Sequence, residues 1–285
     1  MSENIFVNQN GKFINDSNAV VSVNNRSFRY GDGCFETMKI ISGKLLMADY
    51  HFERLFLSLK LLQFDVPSFI TPTYLHTQIL ELTKRNKHQK LARIRLTIYR
   101  GEGGLYDPQN LVPNFIIQSW VLNPTNNIFN ENGLVIDVFE GAKKVCDNYS
   151  AIKSNNYLGY AMAALWVKQQ QLNDAVLLNP YNRIADATIA NVFMVKEGMV
   201  KTPSLNEGGI NGIMRRNLLE KLPEIGIPVE ETTLSVEELL MADEVFLTNS
   251  IYGIRWVKQL KEKKYSSNIT SLISKKIVHI YHQHS

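Results

Sequence analysis

The sequence predicts an α+β fold in two domains, and three observations carry that prediction. Helical and strand-like stretches mix along the chain without the strict alternation of a doubly wound parallel sheet. A polar, turn-rich break, Asn123-Pro124-Thr125-Asn126-Asn127, lies between two strand-like stretches and reads as a linker. The length, 285 residues, suffices for two modest cores. The expected division is residues 1–122, a linker at 123–127, and residues 128–285.

The elements follow in order. Residues 5–7 and 12–14 flank Asn10-Gly11, and residues 35–41 and 44–47 flank Ser42-Gly43, so the start reads as hairpins. A helix is predicted over 49–62, because Phe52, Leu55, Phe56, Leu59 and Leu62 recur at three- and four-residue steps. A second helix is predicted over 72–84, with Pro72 in its first turn. Apolar strands are expected at 92–99 and 114–122. Beyond the linker, strands at 134–138, 175–178, 192–195 and 244–247 mix with helices at 158–171 and 212–222.

Composition narrows the partners. The chain is 45% hydrophobic and 20% charged, ordinary for a globular protein. Its net charge of +4 is spread without a basic stripe or arm, so no nucleic-acid partner is expected. The densest basic stretch, Lys258 to Lys264, is short and interrupted and reads as a solvated turn. Cys34 and Cys146 have neither metal-type spacing nor the number for a disulfide framework. Met1-Ser2-Glu3-Asn4 lacks the features of a signal peptide, and no apolar run is long enough to span a bilayer. A cytoplasmic protein with no membrane partner is expected. His279, His282 and His284 are explained by a frayed terminal helix rather than by a metal site.

Several residues are candidates for chemistry. Lys153 precedes Ser154, Asn155 and Asn156, which are good N-cap residues ahead of apolar periodicity from Tyr157. A lysine just before a helix N-terminus is disfavoured as a cation, and a part-neutral amine can attack an aldehyde. A solvated loop lysine is the competing reading. Gly208-Gly209-Ile210-Asn211-Gly212-Ile213-Met214-Arg215 runs into a helix whose free N–H groups suit a dianion, unless it is only a glycine-bearing cap. Thr248-Asn249-Ser250 ends a strand with three small hydrogen-bonding side chains, as a plain turn also does. Arg54 lies off the apolar face of its helix, where an exposed arginine is the default reading. Asp186 has small, apolar flanks; if buried it needs a partner. Arg93 and Arg95, two apart on a strand, face one side.

Together these stretches resemble the class IV aminotransferases, the pyridoxal 5'-phosphate (PLP) enzymes of fold type IV. Arg29-Tyr30-Gly31-Asp32-Gly33-Cys34-Phe35-Glu36-Thr37 is similar to the family's N-terminal signature, and the matches keep family order from about residue 5 to residue 257. The resemblance implies a smaller N-terminal α/β domain and a larger C-terminal domain with a mixed, barrel-like sheet. It implies that Lys153 forms the Schiff base with PLP and that Arg54 holds the phosphate. Gly212, Ile213 and Met214 would form the phosphate loop, with Thr248, Asn249 and Ser250 as a second one. Asp186, followed by Asn191, would pair with the pyridine nitrogen. The family usually has glutamate there; aspartate is one methylene shorter, so the ring or backbone shifts or a water bridges. Tyr157 is a candidate partner for the cofactor phenolate, or core packing at the helix start. Tyr30, Arg93, Arg95 and Arg100 are candidates for a substrate that carries a carboxylate; exposed edge-strand arginines are the alternative for the pair on the strand.

Three stretches lean toward aminodeoxychorismate lyase within the family: Asn211-Gly212-Ile213-Met214-Arg215, Thr248-Asn249-Ser250-Ile251-Tyr252-Gly253, and Arg100-Gly101-Glu102-Gly103-Gly104. Phe35-Glu36 and Asn156-Tyr157-Leu158 are at home in branched-chain transaminases too. The resemblance implies a PLP lyase making 4-aminobenzoate and pyruvate, with a transaminase of branched-chain or D-amino acids as the alternative. A homodimer is implied by the resemblance alone. A non-catalytic or nucleic-acid-binding relative is the rival from another class; tight, salt-dependent nucleic-acid affinity without a chromophore is its signature.

Overall fold

Two sheets organise the chain, each within its own unit. The computed structural model describes residues 5–278; the terminal histidines 279, 282 and 284 lie outside them. The first unit takes the chain up to Pro124 together with Lys153–Asn156, and the second takes Thr125–Ile152 and the chain from Tyr157 onward. The sequence-based division keeps residues 153–156 with the C-terminal part; here they group with the N-terminal unit.

In the first unit the elements are β1 (Phe6–Gln9), β2 (Lys12–Asn15), α1 (Arg26–Tyr30), β3 (Gly33–Ile41), β4 (Lys44–Leu45), α2 (Ala48–Leu61), α3 (Pro72–Arg85), β5 (Leu91–Arg100) and β6 (Pro113–Val121). The sheet order is β2-β1-β6-β5-β3-β4, with antiparallel pairing throughout. Alternation along β3, β5 and β6 sends Met38, Ile40, Ile94, Leu96 and Ile117 to one face, where they are buried with Leu55 and Leu59 of α2 and Leu75, Ile79 and Leu82 of α3. Thr71 caps α3, its side chain accepting from Tyr74 N at 3.1 Å, and Pro72 opens the helix.

The second unit contains β7 (Leu134–Phe139), α4 (Leu158–Gln169), β8 (Asp174–Leu178), β9 (Ile184–Ala187), β10 (Asn191–Lys196), β11 (Met199–Pro203), α5 (Ile213–Glu224), β12 (Val229–Thr232), α6 (Val236–Met241), β13 (Glu244–Asn249), β14 (Gly253–Leu260), β15 (Lys263–Lys264) and α7 (Asn268–Ile273). Its nine strands form one mixed sheet in the order β12-β11-β10-β13-β14-β7-β8-β9, with β15 on β14. The pairs β11/β12, β14/β7 and β7/β8 are parallel. Val192, Met194, Val245, Leu247, Val257 and Ile136 fill its core. A capping box between Ser235 and Glu238 starts α6.

The long periodic elements match expectation within a few residues. Helix α4 stops at Gln169 rather than 171, because Gln171 adopts φ +56°. Strands β9, β11, β12, β14 and β15 have no counterpart among the predicted elements; β9, β12 and β15 are two to four residues long, too short for a pattern to show. Among the described residues no helix is long and apolar enough to cross a membrane.

Candidate active site

Each unit brings together part of the predicted residue set. In the first, Lys153 is held by strand pairing rather than by a helix cap. Phe35 N donates to Lys153 O at 2.9 Å, Asn155 N donates to Gly33 O at 3.0 Å, and Cys34 and Ser154 form an antiparallel bridge. The segment 153–155 thus adds to the edge of β3. The cap of α4 is Tyr157, without a side-chain hydrogen bond, so Ser154, Asn155 and Asn156 do not cap the helix as expected. Asn155 Nδ2 instead donates to Ser27 Oγ at 3.0 Å and Ile98 O at 3.4 Å. The Asn155 amide thus finds its partners on α1 and β5, not at the start of α4.

Gly33 permits this approach. A Cβ there would lie 2.3 Å from Ile98 O and 2.6 Å from Asn155 Nδ2. Gly33→Ala is expected to lower stability by about 1–3 kcal/mol, since backbone must move. Urea denaturation measures it, and an unchanged midpoint contradicts the crowding.

Alternation splits β3 into two chemical faces. Phe35, Thr37 and Lys39 pair with Thr97, Arg95 and Arg93, and opposed residues share a face. On that face Lys153 Nζ lies 4.6 Å from the centroid of the Phe35 ring and the Arg95 guanidinium 3.8 Å from it. Arg93 lies over Trp120 at 5.0 Å, and its Nε is buried without a partner. Burial pushes the Lys39 ammonium down to about 8. Arg93 and Arg95 therefore share a side, as their spacing predicts.

Arg100 does not join them. It lies on the opposite face, buried, with Nε donating to both Asp32 oxygens at 3.1 Å and Nη2 to Leu62 O at 2.5 Å. Its ring partner is Phe64 at 4.1 Å. Arg26 meets Asp32 from the other side at 2.9 Å and donates to Leu105 O and Tyr106 O. Arg100 is thereby committed to holding the chain, which corrects its place among the substrate candidates. Tyr30 stands half-buried beside Tyr106, ring centroids 5.5 Å apart.

The helix face of β3 carries Glu36, which sequence reasoning missed. Arg54 is buried, not exposed: its Nε donates to Glu36 Oε1 at 2.8 Å and its Nη2 to Glu36 Oε2 at 2.5 Å. His51 Nδ1 lies 2.6 Å from Glu36 Oε2, while His51 Nε2 is buried with no partner. Burial acts to raise the Glu36 carboxyl, but the Arg54 charge and the His51 hydrogen bond outweigh it and hold the pKa at about 2. Burial also pushes His51 below its usual range, so the neutral ring donates from Nδ1. A charged residue at an inward strand position, with His and Arg three apart on the next helix, was the available signal.

The depressed Glu36 pKa fixes a sign. A carboxyl titrating lower when folded contributes stability that is full above about 4.5 and is lost as pH falls toward about 2. The gap in urea midpoint between wild type and Glu36→Gln is expected to close across that window. A gap independent of pH contradicts the ionised pair.

In the second unit Asp186, on β9, is buried and bracketed. Its Oδ2 accepts from Tyr160 OH at 3.1 Å and Ile210 N at 3.0 Å, and its Oδ1 from Asn191 Nδ2 at 3.1 Å. Asn191 Nδ2 also donates to Ile210 O at 2.8 Å. Burial and the Asp186 charge raise Tyr160 well above the usual phenol range, so it stays a donor. Two residues on, Thr188 donates through its N at 3.0 Å and through Oγ1 to the buried Asp174. Tyr160 escaped the sequence reading because a tyrosine on a helix has packing as its default role.

Gly212 caps α5 with no side-chain hydrogen bond, leaving the first-turn N–H groups of the helix without a side-chain acceptor from the cap. A Cβ on Gly212 would fall 1.8 Å from Asn191 Oδ1. Asn191 pairs in register with Thr248, whose Oγ1 is buried without a partner. Asn249 forms the turn instead: its Oδ1 accepts from Ile251 N and Tyr252 N at 3.0 and 2.9 Å. Ile213 and Met214 are buried, and Ser250 and Tyr157 are half-buried and exposed respectively.

The model of one family, described as amino-transferase class IV, matches residues 33–260. The chain belongs to the class IV aminotransferases. The Vibrio harveyi aminodeoxychorismate lyase is 33% identical over 82% of this class IV chain and 85% of its own length. A Methanocaldococcus jannaschii protein, provisionally named a branched-chain-amino-acid aminotransferase, is 32% identical over 94% of this chain and 92% of its own. Among solved structures, the T.th. branched-chain amino acid aminotransferase complexed with N-(5'-phosphopyridoxyl)-L-glutamate superposes with a TM-score of 0.86, at 20% identity, covering 99% of this chain and 95% of that one. That likeness establishes the class IV fold.

Proposed function

We propose that this class IV enzyme is a PLP-dependent aminodeoxychorismate lyase, converting 4-amino-4-deoxychorismate to 4-aminobenzoate and pyruvate in folate precursor synthesis. The residues fit the cofactor's parts. An orphaned Thr248 hydroxyl, a glycine at which a Cβ collides, and an uncapped α5 N-terminus suit a phosphate. Gly212, Ile213 and Met214 supply main-chain donors there, with Thr248 and Ser250; Asn249 shapes the turn. By the family likeness, Arg54 would hold the cofactor phosphate. Asp186, fixed by three donors, suits the pyridine nitrogen, and Asn191 keeps it in place.

When bound, PLP supplies an aldehyde for attachment and a ring that takes up negative charge. Lys153 Nζ would be the attachment amine and would serve as the base toward the substrate carbon that bears nitrogen. Asp186 would pair with the cofactor's pyridine nitrogen. Arg93 and Arg95, on the Lys153 face of the first sheet, bind the substrate carboxylates, with Tyr30 and Tyr157 as further contacts. The observation that carries the lyase reading is this cationic face, Lys39, Arg93 and Arg95 in register. It suits a substrate with two carboxylates and opposes an apolar branched side chain. Likeness to the Vibrio harveyi lyase supports the same assignment. We assign a cytoplasmic homodimer to it, without nucleic-acid or membrane partners.

Likeness over 94% of the chain to the Methanocaldococcus jannaschii protein favours a second reading, a transaminase of branched-chain or D-amino acids. In it Lys153 would carry the proton during amino-group transfer, and hydrolysis would give a keto acid. A coupled assay separates the two. Pyruvate release from aminodeoxychorismate is expected; keto-acid formation from amino acids without pyruvate release overturns the lyase assignment.

A further inference from the structure

We infer that Glu36, held by His51, is a positioning residue for a phosphate anchor: it sets the plane of the Arg54 guanidinium rather than merely neutralising it. The inference rests on the PLP reading above. Its basis lies within the first unit.

Three side chains from two elements form a line, His51–Glu36–Arg54. Glu36 takes the Nε and Nη2 sides of the guanidinium at 2.8 and 2.5 Å, one oxygen to each, which fixes both the position and the rotation of the planar fork. His51 fixes the carboxylate in turn, at 2.6 Å, from the preceding turn of the same helix. All three groups are buried. Ser58 Oγ donates to Arg54 O at 2.7 Å, so the helix backbone carrying the arginine is tied as well.

Simple charge counting makes the opposite demand. A carboxylate beside an arginine cancels attraction for a dianion, so an arginine serving only as charge would bind phosphate better without Glu36. A buried guanidinium without a counter-ion is poorly tolerated, and a long arginine side chain without a fixed partner samples many rotamers. Orientation therefore outweighs lost charge when the ligand needs hydrogen bonds from one defined direction. His51 supplies the second sign of a built device. Its Nε2 is buried without a partner, an unfavourable arrangement that its Nδ1 contact to Glu36 maintains.

The test compares PLP with pyridoxal, which has the aldehyde and ring but no phosphate. Binding of each is titrated by absorbance at Lys153 in wild type, Glu36→Gln, His51→Asn and His51→Leu. Glu36→Gln is expected to weaken PLP binding roughly tenfold or more while leaving pyridoxal within about twofold. His51→Asn can place an amide N–H where Nδ1 stood and is expected to keep most of the PLP preference; His51→Leu is expected to lose it. Equal weakening of both aldehydes by Glu36→Gln shows a merely structural role and overturns the inference. Tighter PLP binding overturns it too, since charge then decides. If wild type binds neither aldehyde, the PLP reading itself fails and the inference falls with it.

Discussion

Lys153→Ala protein, reconstituted with PLP, is expected to turn over roughly 10³-fold or more slowly than wild type, on the scale of a lost general acid–base group plus lost covalent attachment. Its backbone should not change. Lys153 is anchored through main-chain atoms, with its carbonyl accepting from Phe35 N at 2.9 Å and its neighbour Asn155 bonded to Gly33, and alanine preserves all of these. Truncation removes the contact of Nζ with the Phe35 ring and leaves that main-chain pairing intact. The variant should therefore unfold near the wild-type midpoint. Activity within tenfold of wild type, or a large loss of stability, contradicts the assigned role.

Asp186→Asn is expected to lower turnover by roughly 10²- to 10³-fold, the scale of losing one fixed electrostatic contact to developing charge. An amide keeps the size of the carboxylate but not its acceptors. Its NH2 must face either the Asn191 amide or the Tyr160 hydroxyl and the Ile210 N–H, all of which donate to Asp186 now. One buried donor is left without an acceptor, which costs about 1–3 kcal/mol of stability as well. Asp186→Glu restores charge with one more methylene, in a bracket built for the shorter side chain. It is expected to recover part of the rate but to crowd Gly209, whose Cα already faces the Ala185 carbonyl so closely that a Cβ would come within 2.5 Å. An Asp186→Asn enzyme as fast as wild type contradicts a role for this carboxylate.

Much of the fold was legible because it rests on periodicity. The run Phe52, Leu55 and Leu59 announced α2, and the apolar stretch of β5 announced the centre of the first sheet. What escaped has identifiable causes. Arg54 looked exposed because it lies off the apolar stripe; the helix buries a wider arc that includes His51, Arg54 and Ser58, and a strand residue eighteen positions earlier decides that. Arg100 looked like its neighbours Arg93 and Arg95, yet period-two alternation sends it to the other face, where Asp32 and two carbonyls take its donors. Lys153 was placed by its motif, but the reason for its position, pairing with the edge of β3, depends on a contact between distant segments that no local pattern encodes. Tyr160 likewise became meaningful only once β9 was seen to bring Asp186 to it.

The most direct test of the central claim is to reconstitute wild-type protein with PLP, reduce it with borohydride, and map the modified peptide by mass spectrometry. A single phosphopyridoxyl group on Lys153 is the expected result. Modification of a different lysine, or none at all, contradicts it.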